Sequence, residues 1–267
     1  MAPKRLRSAR SSSPTALGDR RHTVSAPHRT TSLRRSVALL SAFRHEQDDP
    51  DAYYRLLAKD SVCQLRGYTP IGDKTVLDVG GGPGYFSEAF AAAGSKYLWV
   101  EPGLGEFTGL SAPGPGMVVA SGMELPVRTG SVDICYSSNV LEHVPRPWQM
   151  ADEMVRVTRP SGLVFCSFTL WWSPWGGHET SPWHLLGGRR AAVRYERVHG
   201  SAPKNAFGDS LFAVRAGDAV RWARGVAGAE LVDAIPRYHP WWAHWTAQVP
   251  GLREIACWNL ALVLRRT

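Results

Sequence analysis

One stretch limits what this chain can fold into more than any other. An apolar run with strand character, Thr75 to Val79, breaks into Gly80-Gly81-Gly82-Pro83-Gly84, and a segment with helical character, Tyr85 to Ala93, follows. Strand, glycine turn and helix in that order place backbone N–H groups and a helix N-terminus against a ligand at the carboxyl end of a strand. Glycine suits the turn because it adopts dihedrals closed to other residues and lets a ligand approach the backbone.

The spacing narrows the ligand. A dinucleotide fingerprint is G-x-G-x-x-G. Here Gly80, Gly82 and Gly84 make G-x-G-x-G, and Tyr85 stands where the last glycine of that fingerprint belongs. Asp78 precedes the cluster by two residues, and a carboxylate there suits an amine or hydroxyl better than a pyrophosphate. Asp78-Val79-Gly80-Gly81-Gly82-Pro83-Gly84 resembles the first motif of class I S-adenosylmethionine-dependent methyltransferases. A nicotinamide oxidoreductase is the enzymatic rival, disfavoured by Tyr85.

Other segments carry the same resemblance. Tyr97 to Val100 reads as a second strand ending at Glu101, an acid placed to meet ribose hydroxyls. Met117 to Ala120 reads as a third strand. Gly122-Met123-Glu124 after it resembles the segment that brackets the adenine, with Met123 on the ring face and Glu124 either accepting from the exocyclic amine or standing in solvent. Val132 to Ser137 reads as the fourth strand. The residues behind it, Ser138-Asn139-Val140-Leu141-Glu142-His143, resemble the signature of small-molecule methyltransferases rather than the Asp/Asn-Pro-Pro-Tyr of enzymes that methylate DNA amino groups. By the resemblance, Asp78 and the backbone of Gly80, Gly81, Gly82 and Gly84 hold the methionine part of the cofactor. Glu101 takes the ribose, and Gly122, Met123, Glu124 and Asn139 complete the cofactor site. The implied fold is α/β, a Rossmann-like doubly wound sheet of seven mostly parallel strands whose last strand is antiparallel.

The acceptor side is less constrained. His143 and His178 are the candidate bases, each with a structural reading beside it. Some ubiquinone-pathway O-methyltransferases bind a divalent metal through Glu-x-x-Glu-His at this place. Asn139 stands at the first position, so only Glu142 and His143 match. His178, Glu179 and His184 find no further ligands at zinc spacing, so no metal is expected. Residues 170–188 and 238–245 hold seven of the eleven tryptophans. Trp171, Trp172, Trp175, His184, Trp241 and Trp242 are the candidate acceptor wall, for a sugar ring or a flat apolar molecule, or else the core of an insertion at about 170–210.

Charge and composition set the remaining bounds. Residues 1–35 hold nine Lys or Arg and one acid, which is the whole net charge of +8; the remaining 22 basic and 22 acidic residues balance. A neutral body argues against a nucleic-acid partner, which wants a basic face on the domain itself. Residues 1–31 read as a disordered basic tail and 32–69 as N-terminal helices, Leu33 to Phe43 and Asp49 to about Leu65, that either lid the cofactor or pack on the sheet edge. Residues 70–267 read as the methyltransferase domain. Residues 102–116 predict a short or irregular second crossover helix. The last two strands are expected at Glu230–Ile235 and Ile255–Leu264. Four cysteines without C-x-x-C spacing fit a reducing compartment, and no apolar run reaches membrane-span length, so a cytoplasmic location is expected. A methyltransferase fold kept as a non-catalytic scaffold is the reading from another class. The oligomeric state is not legible.

Overall fold

The computed structural model describes residues 31–45, 49–103 and 116–267. The basic tail and the second crossover helix expected from sequence lie outside the described residues. Seven strands form one sheet: β1 Thr75–Val79, β2 Lys96–Glu101, β3 Met117–Val119, β4 Val132–Ser138, β5 Thr158–Thr169, β6 Ala229–Pro236 and β7 Asn259–Arg266. Their order is β3-β2-β1-β4-β5-β7-β6. The pairs β1–β2, β1–β4, β2–β3 and β4–β5 are parallel, while β7 runs antiparallel to both β5 and β6. The strand order reverses between β1 and β4, which opens a crevice at their carboxyl ends.

Period-two alternation sends side chains to two covered faces. Leu77, Val79, Cys135, Val164 and Leu262 pack with Met150 and Met154 of α4 (Pro147–Val157) and Val220 of α6 (Ala216–Gly225). Val76, Ile134, Tyr136, Phe165 and Val263 pack with Leu57 and Leu65 of α2 (Pro50–Arg66) and Phe90 of α3 (Ser87–Ala92). Two covered faces explain why the strands read as near-continuous apolar runs. Asp49 caps α2, its carboxylate accepting from the Ala52 N–H at 3.0 Å, and Pro50 occupies the first turn where no donor is needed.

Two boundaries depart from the sequence reading. Arg159–Gly162 does not end α4 as a separate turn; β5 begins at Thr158, and its register against β4 slips between Val132 and Ile134 to absorb the extra residues. Residues 255–258 are not strand. Leu252–Ala256 forms α7, because Glu254 turns inward to accept from the Ala216 and Gly217 N–H groups at 2.9 and 2.7 Å, satisfying orphan donors at the start of α6.

The helix α1 (Leu33–Phe43) packs on α2 through Leu39 and borders a cavity that also meets Asn139 and Thr169, at the carboxyl ends of β4 and β5. Its Arg35 forks onto Asp60 of α2 at 2.6 and 2.7 Å and donates to the Arg237 carbonyl at 2.9 Å. Both side chains of this pair are nearly buried, so the bonds are charge-assisted and poorly screened. Asp60→Ala is expected to release α1: losing hydrogen bonds to a charged group costs about 1.5–3 kcal/mol, so amide exchange across Leu33–Phe43 should speed up by roughly 10- to 150-fold while the strands stay protected. Hydrogen-exchange mass spectrometry checks this.

Candidate active site

The glycine loop leaves β1 with Gly80, Gly82 and Gly84 at φ of 80, 52 and 86 degrees. Gly80 is tied to glycine twice over, since a Cβ there would run into the Val140 side chain. Gly82 differs, because a Cβ on it would meet nothing within 4 Å. The backbone at Gly82 therefore borders open space, and its N–H donates to Glu101 Oε2 at 3.0 Å. Glu101 ends β2 beside the loop and is 9% exposed. A carboxylate thus stands at the rim of a bare glycine loop.

Beyond β4, Asn139 turns the chain with φ 57 degrees. Its backbone N–H donates to the Ser167 carbonyl at 2.7 Å, its Oδ1 accepts from Asn259 Nδ2 at 2.7 Å, and its Nδ2 donates to the Tyr238 hydroxyl at 3.3 Å. Asn139, Tyr238 and Asn259 line a cavity of 240 Å³ that is also bordered by Leu40 and Phe43 of α1 and by Tyr53, Trp175 and Trp258. Two buried acceptors among its lining residues have no hydrogen-bond partner, His239 Nδ1 and Asn259 Oδ1. Burial holds the His239 ring below the ordinary histidine pKa, partly opposed by the Ala256 backbone.

The chain matches the family model described as a methyltransferase domain over residues 77–166. An uncharacterized methyltransferase of Mycobacterium marinum is 53% identical over 247 residues, spanning 88% of this chain and 96% of the relative. This chain belongs to the methyltransferase family. An uncharacterized methyltransferase of Mycobacterium tuberculosis is likewise 53% identical over 251 residues, again across 88% and 96% of the two chains. Among solved structures, an S-adenosylmethionine-dependent methyltransferase from Mesorhizobium loti superposes with a TM-score of 0.52 at 18% identity, covering 80% of this chain and 98% of that one, which supports the fold.

In this methyltransferase, Asp78 is 1% exposed and accepts from the Tyr97 hydroxyl at 2.7 Å. Burial raises its pKa to about 7; Tyr97 opposes the shift, Glu101 adds to it and Arg237 opposes it. The sign follows by linkage. The folded state holds its proton when the unfolded chain has released it, so stability is lost as pH rises from about 4 to about 7. Asp78→Asn is expected to flatten the pH dependence of the melting temperature in that window, removing a slope of at most roughly 1.4 kcal/mol per pH unit.

Gly122 is confined, since a Cβ would lie 2.9 Å from Val79 Cγ1. Met123 is half-buried against the core, and Gln149 Nε2 donates to its carbonyl at 2.9 Å. Glu124 stands exposed. Of the six candidate acceptor residues, Trp175 lines the cavity. Trp171 and His184 form the insertion's own core, with His184 Nε2 at 2.9 Å from the Trp171 carbonyl, both residues buried. Trp172, Trp241 and Trp242 are exposed, and none is among the described residues lining the cavity. His143 and His178 lie outside that lining too, ring against ring at 4.9 Å. Burial lowers His178 to a pKa of about 4, with help from His143.

Sequence reasoning missed His239, Asn259 and Arg237. Arg237 is fully buried, its guanidinium donating to the hydroxyls of Ser61, Tyr136, Ser138 and Ser167. Asn259 had a signal: a lone amide at the head of an otherwise apolar run. His239 sat within the second aromatic cluster, indistinguishable there from its neighbours.

Proposed function

We propose that the chain transfers a methyl group from S-adenosylmethionine to a hydroxyl on a small or lipid-like, largely apolar acceptor. The observation that carries the acceptor side is the pairing of an apolar cavity with two unpartnered buried acceptors, His239 Nδ1 and Asn259 Oδ1. Buried polar atoms are normally bonded, so a donor from outside the chain is called for. The cavity is smaller than the roughly 300–1,000 Å³ of ordinary ligand pockets, which suits the reactive end of a longer apolar molecule.

On the donor side the residues fit the cofactor. The bare backbone at Gly82 leaves room for its methionine part, and Glu101 would accept from the ribose hydroxyls, as Gly122, Met123 and Glu124 would flank the adenine. The cofactor supplies a methyl already activated on a sulfonium, so the protein's task is alignment and proton removal. Asn139, which belongs to both sides, sets the angle between them. Neutral His239 takes the hydroxyl proton at Nδ1. Asn259 Oδ1 accepts from a second donor on the acceptor, and α1 with Trp175 excludes water.

Calorimetric titration of the purified chain with S-adenosylmethionine, and separately with NADH, tests the donor reading. Micromolar binding of the first and none of the second is expected. A well-folded sample that binds neither would favour the scaffold reading. Transfer assays with apolar alcohols and phenols, against sugars without an apolar portion, then test the acceptor.

A further inference from the structure

A second cluster of donor atoms lies outside the sites described above. Glu142 and His143 sit in the helical turn Leu141–His143 that follows β4, and His178 opens the turn His178–Thr180 in the insertion. The chain separates them by 35 residues, yet one ligand atom from each lies within 4.8 Å of the other two. Each is prepared for a cation. Glu142 is 1% exposed; its Oε1 accepts from the Thr169 N–H at 2.8 Å, and its Oε2 is buried with no partner. His143 Nδ1 is 2.7 Å from the Ser210 carbonyl, which fixes the proton there and leaves the lone pair on Nε2. His178 Nε2 is likewise buried and unpartnered, and its backbone is held at φ 48 degrees, a conformation that strains a residue with a side chain.

Bare, this arrangement is costly. A buried carboxylate and two imidazole rings meet here with no hydrogen bond between them, and an unsatisfied buried polar atom costs about 1–3 kcal/mol, more for a charged one. We infer that Glu142, His143 and His178 form a binding site for one divalent transition-metal ion of the zinc class. Two imidazoles and a carboxylate select such ions over magnesium or calcium, which prefer all-oxygen shells. Three protein ligands leave one position of a tetrahedral ion to water. The site would tie the insertion to the turn behind β4. The ligand that completes it, His178, comes from a part of the chain that no local spacing connects to Glu142.

Metal uptake tests this without reference to methyl transfer. The full chain, stripped with a chelator and dialysed, is titrated with Co²⁺ and followed by visible d–d absorption, then back-titrated with Zn²⁺. One equivalent of Co²⁺ per chain is expected, with bands displaced by one equivalent of Zn²⁺. Glu142→Gln and His178→Ala should each weaken binding by more than the roughly 10- to 100-fold that loss of an outer partner costs, while the surface variant His199→Ala binds as the parent does. Circular dichroism verifies that each variant is folded, and His143→Asn substitutes for one that is not. Failure of the folded parent to take up Co²⁺, or equal binding by the folded variants, would overturn the assignment whatever the outcome with S-adenosylmethionine.

Discussion

Replacing His239 by glutamine is expected to lower turnover by about 10²- to 10⁴-fold, the usual span for loss of a positioned general base. The affinity for S-adenosylmethionine should stay unchanged, because His239 lines the acceptor cavity and not the glycine loop. The pH profile separates a base from a wall residue. Burial holds the His239 ring below the ordinary histidine pKa of 6.5, so the parent should keep its activity below pH 6.5 and lose it only at lower pH. In His239→Gln that acid limb should vanish along with most of the rate. A variant that loses rate yet keeps the limb would assign the proton to another group.

Glu101→Ala is expected to weaken S-adenosylmethionine binding by roughly 10- to 150-fold, equivalent to about 1.5–3 kcal/mol for hydrogen bonds to a charged group. Two losses combine. The ribose hydroxyls lose their acceptor, and the Gly82 N–H loses the carboxylate that holds the loop at 3.0 Å. Glu101→Gln keeps an acceptor oxygen for the loop but removes the charge, so it should fall between the parent and the alanine variant. Isothermal titration of the three proteins measures both steps. An unchanged dissociation constant in Glu101→Ala would refute the ribose role.

Asn139 sits in a left-handed turn, bonded on one side to Tyr238 and on the other to Asn259. The roof is α1, latched by the Arg35–Asp60 pair onto α2.

The order of the elements was legible from the chain because each depends on local rules. The glycine spacing after Thr75–Val79, the acid ending β2 and the apolar runs of β4 and β5 are short-range patterns, and a seven-stranded sheet with an antiparallel β7 followed from their resemblance and succession. Local rules failed where a distant group decided the outcome. Ile255 and Ala256 read as the start of the last strand by their apolar content, but they belong to the helix Leu252–Ala256, whose Glu254 caps α6 some 37 residues away in sequence. The tryptophans of residues 170–188 and 238–245 looked alike in sequence. Folding sorted them, burying Trp171 against His184, setting Trp175 on the cavity and leaving Trp172, Trp241 and Trp242 exposed. His239 and Asn259 gained their meaning in the same way, as polar atoms closed into an apolar cavity by α1. The sequence alone carried the fold class, through the resemblance of its motifs, and the place of the glycine loop, through its spacing. Tertiary structure decided the apolar cavity beneath α1, the burial of His239 and Asn259 in its lining and the meeting of Glu142, His143 and His178, because burial and convergence exist only once remote segments have packed.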